Sequence, residues 1–595
     1  MFAGFLRDLP GSEDILLAKT SPALVIHTGQ VFFTVRTISR LRACSSGCSL
    51  TLVRRIKGCK SSSPFSTKSC IIMRLFNLAV ILAAKLLPVA FAAFGVTTSG
   101  NNLVVDSGGG LVTTINKSNG DITSLVFNGK QLQDSSKFTQ LSSGLGSATV
   151  NSRTQNDIII VTIQTSTITH YYIVRSGINT LYIGTFASAE PDVGELRFIA
   201  RLSKSALPNG VNTACEVSGG TAIEGSDVFL LNGQTRSKFY SSVRFIQDQV
   251  HGVTGSGVGV YMIIPGVSYE TSSGGPFFRD INNQGTAQQE LYWYMNSNHE
   301  QTESYRTGFF GPYAMAVTSG SPPSASLDTS FFDNLGLQGY VSASGRGTVS
   351  GSYSGTLSGQ PVTIGFKNSQ AQYWVAGSGG SFSRNSIKPG TYTVTLFQGE
   401  LEAGTGTVNV NAGQTSSITL TSILNKPSTI WSIGTVDGTP AGFLNADKIQ
   451  TMHPSDTRMS SWGPVTYTIG SSSPSSFPMA QFVAVNNPTT IKWTASSSQI
   501  GARTLRIRTT ESFAGGRPQI KVNNWTSSAP AAPTKIDSRG VTRGTWRGLN
   551  QLYDFAIPSG TLVAGSNTIT ITVISGSSGD DFLSPNIVYD SVELF

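Results

Sequence analysis

Residues 158–163 read IIIVTI, residues 181–186 LYIGTF and residues 258–264 VGVYMII. Branched and aromatic side chains in runs this short suit a pleated, partly buried strand, because their stiff χ1 fits a sheet better than a helix. Asn119-Gly120 and Asn128-Gly129 supply dipeptides that adopt positive φ in tight hairpin turns. A helical period is almost absent elsewhere. The chain therefore predicts an all-β protein of antiparallel strands.

Working outward, residues 318–326 (TSGSPPSAS) read as a linker, followed by a short helix over 330–335. A compact strand series then fills residues 338–424, with Lys388-Pro389-Gly390 as its clearest turn. That length and strand density predict a small fibronectin III-like sandwich. Residues 425–595 hold five of the seven tryptophans (Trp431, Trp462, Trp493, Trp525, Trp546) and predict a jelly roll of the carbohydrate-binding kind. The region before the linker, residues 93–337, is expected to form a first all-β domain.

Residues 73–93, MRLFNLAVILAAKLLPVAFAA, have the layout of an export signal: Arg74, an apolar run over 75–87, Pro88, and Ala90-Phe91-Ala92 before the cut. Asn77 and Lys85 interrupt the run and disfavour a membrane span. Secretion to the cell exterior is expected, with residues 73–92 removed and residues 1–72 a non-native extension. Residues 1–92 carry 12 Lys and Arg against 3 Asp and Glu, the whole net charge of +9, and leave 30 of each sign beyond. A pI near 9.2 is thus no argument for nucleic acid, and neither a nucleic-acid nor a membrane partner is expected. Nothing in the sequence argues against a monomer. Cys44, Cys48, Cys59 and Cys70 lie upstream, so Cys215 is alone in the secreted part and cannot pair within it. Asn116-Lys-Ser and Asn524-Trp-Thr are glycosylation sequons.

Phosphate-binding, zinc-protease and CxxC patterns are missing, and only His170, His251, His299 and His453 follow residue 93. Three segments bear groups suited to acid–base work. In Thr235-Arg-Ser-Lys-Phe-Tyr240, read as a strand, Arg236, Lys238 and Tyr240 share a face that could hold an anion; a solvated edge strand is the plain alternative. In residues 291–303, alternating aromatics including Tyr292 and Tyr294 run into a polar stretch with His299. In residues 194–202, Arg197 stands on the face opposite Phe198, where an ion-paired structural arginine is equally natural.

The runs GELRFIARL (194–202), TRSKFY (235–240), SSGGPFFRD (272–280), YWYMNSNHEQTE (292–303) and GPYA (311–314), with the opening AFGVTTSGNNLVVDSGGGLV (93–112), together resemble the fungal rhamnogalacturonan lyases of polysaccharide lyase family 4. The resemblance spans essentially all of residues 93–595. It implies a large galactose-mutarotase-like β-sandwich over residues 93–337 that carries the chemistry, and cleavage of the galacturonate–rhamnose backbone of rhamnogalacturonan I, a pectic polysaccharide, leaving an unsaturated galacturonate. It also maps the family's essential lysine and histidine onto Lys238 and His299, and its carboxylate-binding arginine onto Arg197. Such relatives are expected to contain disulfides, which this mature chain cannot form.

β-Elimination independently asks for these residue types. The C5 proton of a galacturonate is barely acidic until its carboxylate is neutralised, which a forked Arg can do in place of Ca²⁺. No catalytic cofactor or metal is expected; a structural calcium ion elsewhere is the only one left open. A lysine can act as base where cations and partial burial favour its neutral form, and Arg236 and Arg197 are the expected neighbours of Lys238. His299 could polarise the carboxyl group or protonate the leaving oxygen, and Tyr292 and Tyr294 could stack on sugar rings. Which of Lys238 and His299 is the base stays open at this point. Two other readings compete: a non-catalytic carbohydrate-binding cell-wall protein, and a glycoside hydrolase using a pair among Glu224, Asp227, Asp280 and Glu300.

Overall fold

The β-rich pattern becomes strands that pair antiparallel nearly throughout, in a computed structural model that describes residues 93–191, 194–424, 427–533 and 539–595. The expected export signal and the upstream cysteines lie outside the described residues. In the first domain a seven-stranded sheet runs through Val250–Gly255, Val258–Ile263, Gly308–Thr318, Thr180–Ala187, Ile168–Arg175, Ile158–Gln164 and Thr149–Gln155. It packs on a four-stranded sheet of Asn283–Gly285, Gln289–Asn296, Leu196–Leu202 and Gln140–Leu141. Ile159, Val161, Ile183 and Met262 from one sheet meet Phe198, Leu291 and Trp293 from the other in one core. Each such side chain contributes about 1.5–3 kcal/mol through burial.

The seven-stranded sheet is covered on its second face too. Ile158, Ile160, Ile173 and Tyr182 pack against Phe332 and Leu335, delivered by the short 3₁₀ helix Ser330–Asn334. Burial on both faces explains why residues 158–161 read as an unbroken apolar run instead of alternating.

The second domain pairs a three-stranded sheet (Ser381–Ile387, Gly347–Ser354, Thr415–Thr421) with a four-stranded one (Gln372–Ala376, Val362–Lys367, Gly390–Gln398, Leu401–Val410), a fibronectin-like sandwich. The third is a jelly roll of two larger sheets, with Trp431, Trp493, Tyr589 and Phe477 inside. Buried polar contacts tie both to the first. Glu270, wholly buried, is held by Arg346 (2.7 Å) and Lys388 (2.9 Å) of the second domain. Thr235 N and Oγ1 both donate to Asp456 Oδ2 of the third, at 2.9 and 2.6 Å. The third domain thus grips the strand that leads directly to Lys238.

Candidate active site

The register across Leu196–Leu202 and Gln289–Asn296 pairs Arg197 with Tyr294, Phe198 with Trp293 and Ile199 with Tyr292. Because side chains alternate along a strand, Phe198 and Trp293 enter the core while Arg197, Ile199, Tyr292 and Tyr294 emerge together on the other face. Phe239 and Ile281 pack over that face. The Tyr294 hydroxyl accepts from Arg197 Nη1 at 2.9 Å, and the guanidinium lies 5.5 Å from its ring centre. Arg197 Nη1 also bonds Glu195. Burial works against the guanidinium charge, but Tyr294 and Glu195 outweigh it and hold Arg197 above the usual arginine range. Its Nε has no hydrogen-bond partner among the described residues. Tyr292 and Tyr294 stack on each other (5.9 Å, 25°) and are almost fully buried, so neither offers a free face for sugar stacking. They form the floor of the site.

Lys238 sits where the expected strand fails. Gln234–Ser237 is strand, but the Ser237 hydroxyl accepts from Phe239 N (3.3 Å) and caps a 3₁₀ turn, Lys238–Ser241. A serine competing for backbone donors ends the extended run. Tyr240 consequently turns into the interior instead of sharing a face with Lys238, and Phe239 reaches the site. Lys238 Nζ lies 3.4 Å from Asp227 Oδ1 and 5.6 Å from the Phe239 ring centre. Arg236, expected beside Lys238, is instead spent on Thr213 O and on Gln234 Oε1 (2.9 Å).

His299 follows the end of Gln289–Asn296, its N–H donating to Ser297 Oγ at 2.9 Å. Its Nδ1 is 3.2 Å from both oxygens of Asp280, its Nε2 is 3.5 Å from Glu195 Oε1, and its ring stands edge-on to Phe239 at 5.1 Å. Burial pushes Asp280 up, yet His299 and hydrogen bonds from Ser297 and Ile281 N hold it below the usual carboxylate range. An ionised carboxylate at Nδ1 fixes a proton there and turns Nε2 toward Glu195. Phe239 therefore bridges Lys238 and His299, while Glu195 bridges His299 and Arg197. His299, Arg197 and Tyr294 lie together and Lys238 reaches them through Phe239, but neither expected neighbour stands beside Lys238: Arg236 is turned away, Arg197 is held by Glu195 and Tyr294, and the charged partner of Lys238 is Asp227.

Sequence reasoning missed the third domain's part. Arg543 lies over the Phe239 ring at 5.0 Å and 3.6 Å from Asp227 Oδ2. Arg539 bonds Asp227 Oδ2 (3.1 Å) and Glu224 Oε1 (2.6 Å), and Glu224 also meets His453 Nε2 at 2.8 Å. Half-buried Arg279 donates to Ser242 O and Gly544 O, both at 3.0 Å, and so pins that loop. Burial raises Asp227, but Lys238, Arg543 and Arg539 bring it below the usual range. These arginines lie some 300 residues from Lys238 with no local pattern to link them; the sole signal is the basic spacing of Arg539, Arg543 and Arg547 in one loop.

Away from the site, Asn524 is exposed beside a hairpin, whereas Asn116 is half-buried and its side chain accepts from Asn101 Nδ2 (3.1 Å) and Ser118 N (2.8 Å). Cys215 is free and buried, and burial pushes its thiol up to about 11.

Comparison with known proteins meets this geometry. Residues 94–339 match the family model described as rhamnogalacturonan lyase B, N-terminal. Residues 345–418 and 429–594 match domains II and III of polysaccharide lyase family 4. Rhamnogalacturonate lyase A of Emericella nidulans is 55% identical over 513 residues, covering 85% of this chain and 97% of its own. The protein of the same name from Aspergillus aculeatus is 54% identical over 516 residues, with 85% and 97% covered. The chain belongs to polysaccharide lyase family 4, among the rhamnogalacturonan lyases.

Proposed function

We propose that this protein is a secreted rhamnogalacturonan endolyase that cleaves the galacturonate–rhamnose backbone of rhamnogalacturonan I by β-elimination. The observation that carries the reading is the convergence of Arg197, Lys238 and His299 around Phe239 and Glu195. Arg197 neutralises the galacturonate carboxylate, so that charge developing on the enediolate meets a cation already in place. Lys238, reacting as its neutral amine, takes the C5 proton and becomes an ammonium ion beside Asp227. His299 acts as the imidazolium: its Nδ1–H stays on Asp280, its Nε2–H goes to the leaving oxygen, and the ring is left neutral. Carbon–oxygen cleavage then leaves a C4–C5 double bond on the new non-reducing end. Asp227 and the two arginines behind it hold Lys238 in register with the sugar.

Hydrolysis is the weaker reading. It needs a protonated carboxyl as general acid, whereas Asp227 and Asp280 are held ionised by the cations beside them. Incubation with rhamnogalacturonan I, followed by ultraviolet absorbance of unsaturated ends, separates the two: elimination gives a rising signal, and reducing ends without absorbance would refute it. Activity should survive EDTA. Loss on chelation with recovery on Ca²⁺, the fold staying intact, would overturn the metal-free mechanism. Export is part of the same reading, so secreted material should begin near Ala93 and carry any glycan at exposed Asn524 before Asn116.

A further inference from the structure

Where the three domains meet there is a cleft of about 360 Å³, walled by Gly274 and Glu303 of the first domain, Trp374 of the second, and Arg508, Asn550 and Asp590 of the third. Its walls share no residue with the Lys238–His299 site; the two are linked through the segment that carries His299 at one end and Glu303 at the other. Trp374 is half-buried, one side of its indole packed on Tyr269 (6.1 Å) and Phe245 (6.5 Å).

Polar groups in the wall are left with capacity. The Asp590 side chain is buried, and its Oδ1 accepts from Asp437 N (3.0 Å) and Gly438 N (2.8 Å), while Oδ2 has no partner among the described residues. Arg508 Nε is also without a hydrogen bond, 3.7 Å from Glu593. A buried polar atom left unpaired costs about 1–3 kcal/mol, so a ligand that pairs it gains accordingly. The charges in the wall are largely cancelled. Glu303 pairs with Arg306 (3.0 Å) and Lys367 (3.6 Å), and Glu400 pairs with Arg244 (2.8 Å). An anionic ligand finds little net attraction and would face Asp590. A half-buried indole beside isolated hydrogen-bonding atoms suits a molecule with an apolar C–H face and a rim of hydroxyls.

We propose that this cleft is a second carbohydrate site that binds a neutral oligosaccharide, separate from the groove where the backbone is cut. At this volume it takes roughly two sugar rings, near the small end of ordinary ligand cavities. Bound there, a neutral branch would hold the polymer while the acidic backbone occupies the catalytic groove.

The test is titration calorimetry on the full mature chain with two probes, β-1,4-galactotriose and galacturonotriose. The expected result is saturable 1:1 binding of the neutral trisaccharide that drops about tenfold or more (~1.4 kcal/mol) in Trp374→Ala and in Asn550→Trp, and persists in His299→Ala. Asn550 is exposed at the rim, so filling the cleft with Asn550→Trp keeps the test valid should Trp374→Ala fail to fold. No saturable binding of galactotriose, binding untouched by Asn550→Trp, loss in His299→Ala, or tighter binding of the acidic probe would each overturn the proposal.

Discussion

Arg197 and Phe198 are adjacent on one strand, yet they live in different chemistry. Phe198 stands in a dry core with Trp293 and Tyr313, where burial pushes nearby His170 down to about 3 and keeps it neutral. One residue away, Arg197 shares a face with Tyr294, Glu195 and His299, where charge is offset by charge. A pleated sheet produces both environments from one stretch of sequence. The lesson is that a histidine's neighbours decide its use: His170 packs, and His299 is wired to two carboxylates.

The sharpest way to break this comparison is to remove the charged groups. Lys238→Ala and His299→Ala should each lower kcat by about 10²–10⁴-fold; the melt of Lys238→Ala should stay near wild type, whereas that of His299→Ala should fall because buried Asp280 loses its partner. On the other face the outcome inverts. Phe198→Ala should cost about 3–5 kcal/mol of stability, read by denaturant unfolding, because the cavity forms inside a close-packed layer. Arg543→Gln should reduce turnover about tenfold with the fold retained, since a charge-assisted contact is worth about 1.5–3 kcal/mol; unchanged kinetics would detach the third domain from catalysis. A pH-dependent effect on stability concerns Asp590, whose carboxyl burial raises to about 7 from 3.8. A raised carboxyl favours folding in its protonated form, so its contribution is full below pH ~4 and is lost as pH climbs through ~7. Melts of Asp590→Asn should match wild type at pH 4 and exceed it at pH 8.

Much of this was legible beforehand. Strand chemistry announced the all-β fold, and Lys238, His299 and Arg197 could be named because family motifs surround them. What the sequence hid was non-local or decided by a few ångströms. The end of the strand at Ser237 depends on one hydroxyl capping a turn, and propensity alone reads residues 235–240 as extended. Arg236 looked like the partner of Lys238 by pleat geometry, but that turn separates them. Arg539 and Arg543 arrive from another domain, so no spacing rule could pair them with Asp227. Tyr292 and Tyr294 looked like sugar platforms because alternation gives a face without saying what covers it; Phe239 and Ile281 do.

The central claim is that Lys238 moves a proton and is not merely a positive charge near the substrate. Lys238→Arg tests it directly, because a guanidinium keeps the charge and the reach toward Asp227 but does not give up its proton near neutral pH. Turnover followed by the absorbance of unsaturated ends should fall to within reach of the Lys238→Ala level. Retention of most of the wild-type kcat would contradict the account and move the base to His299.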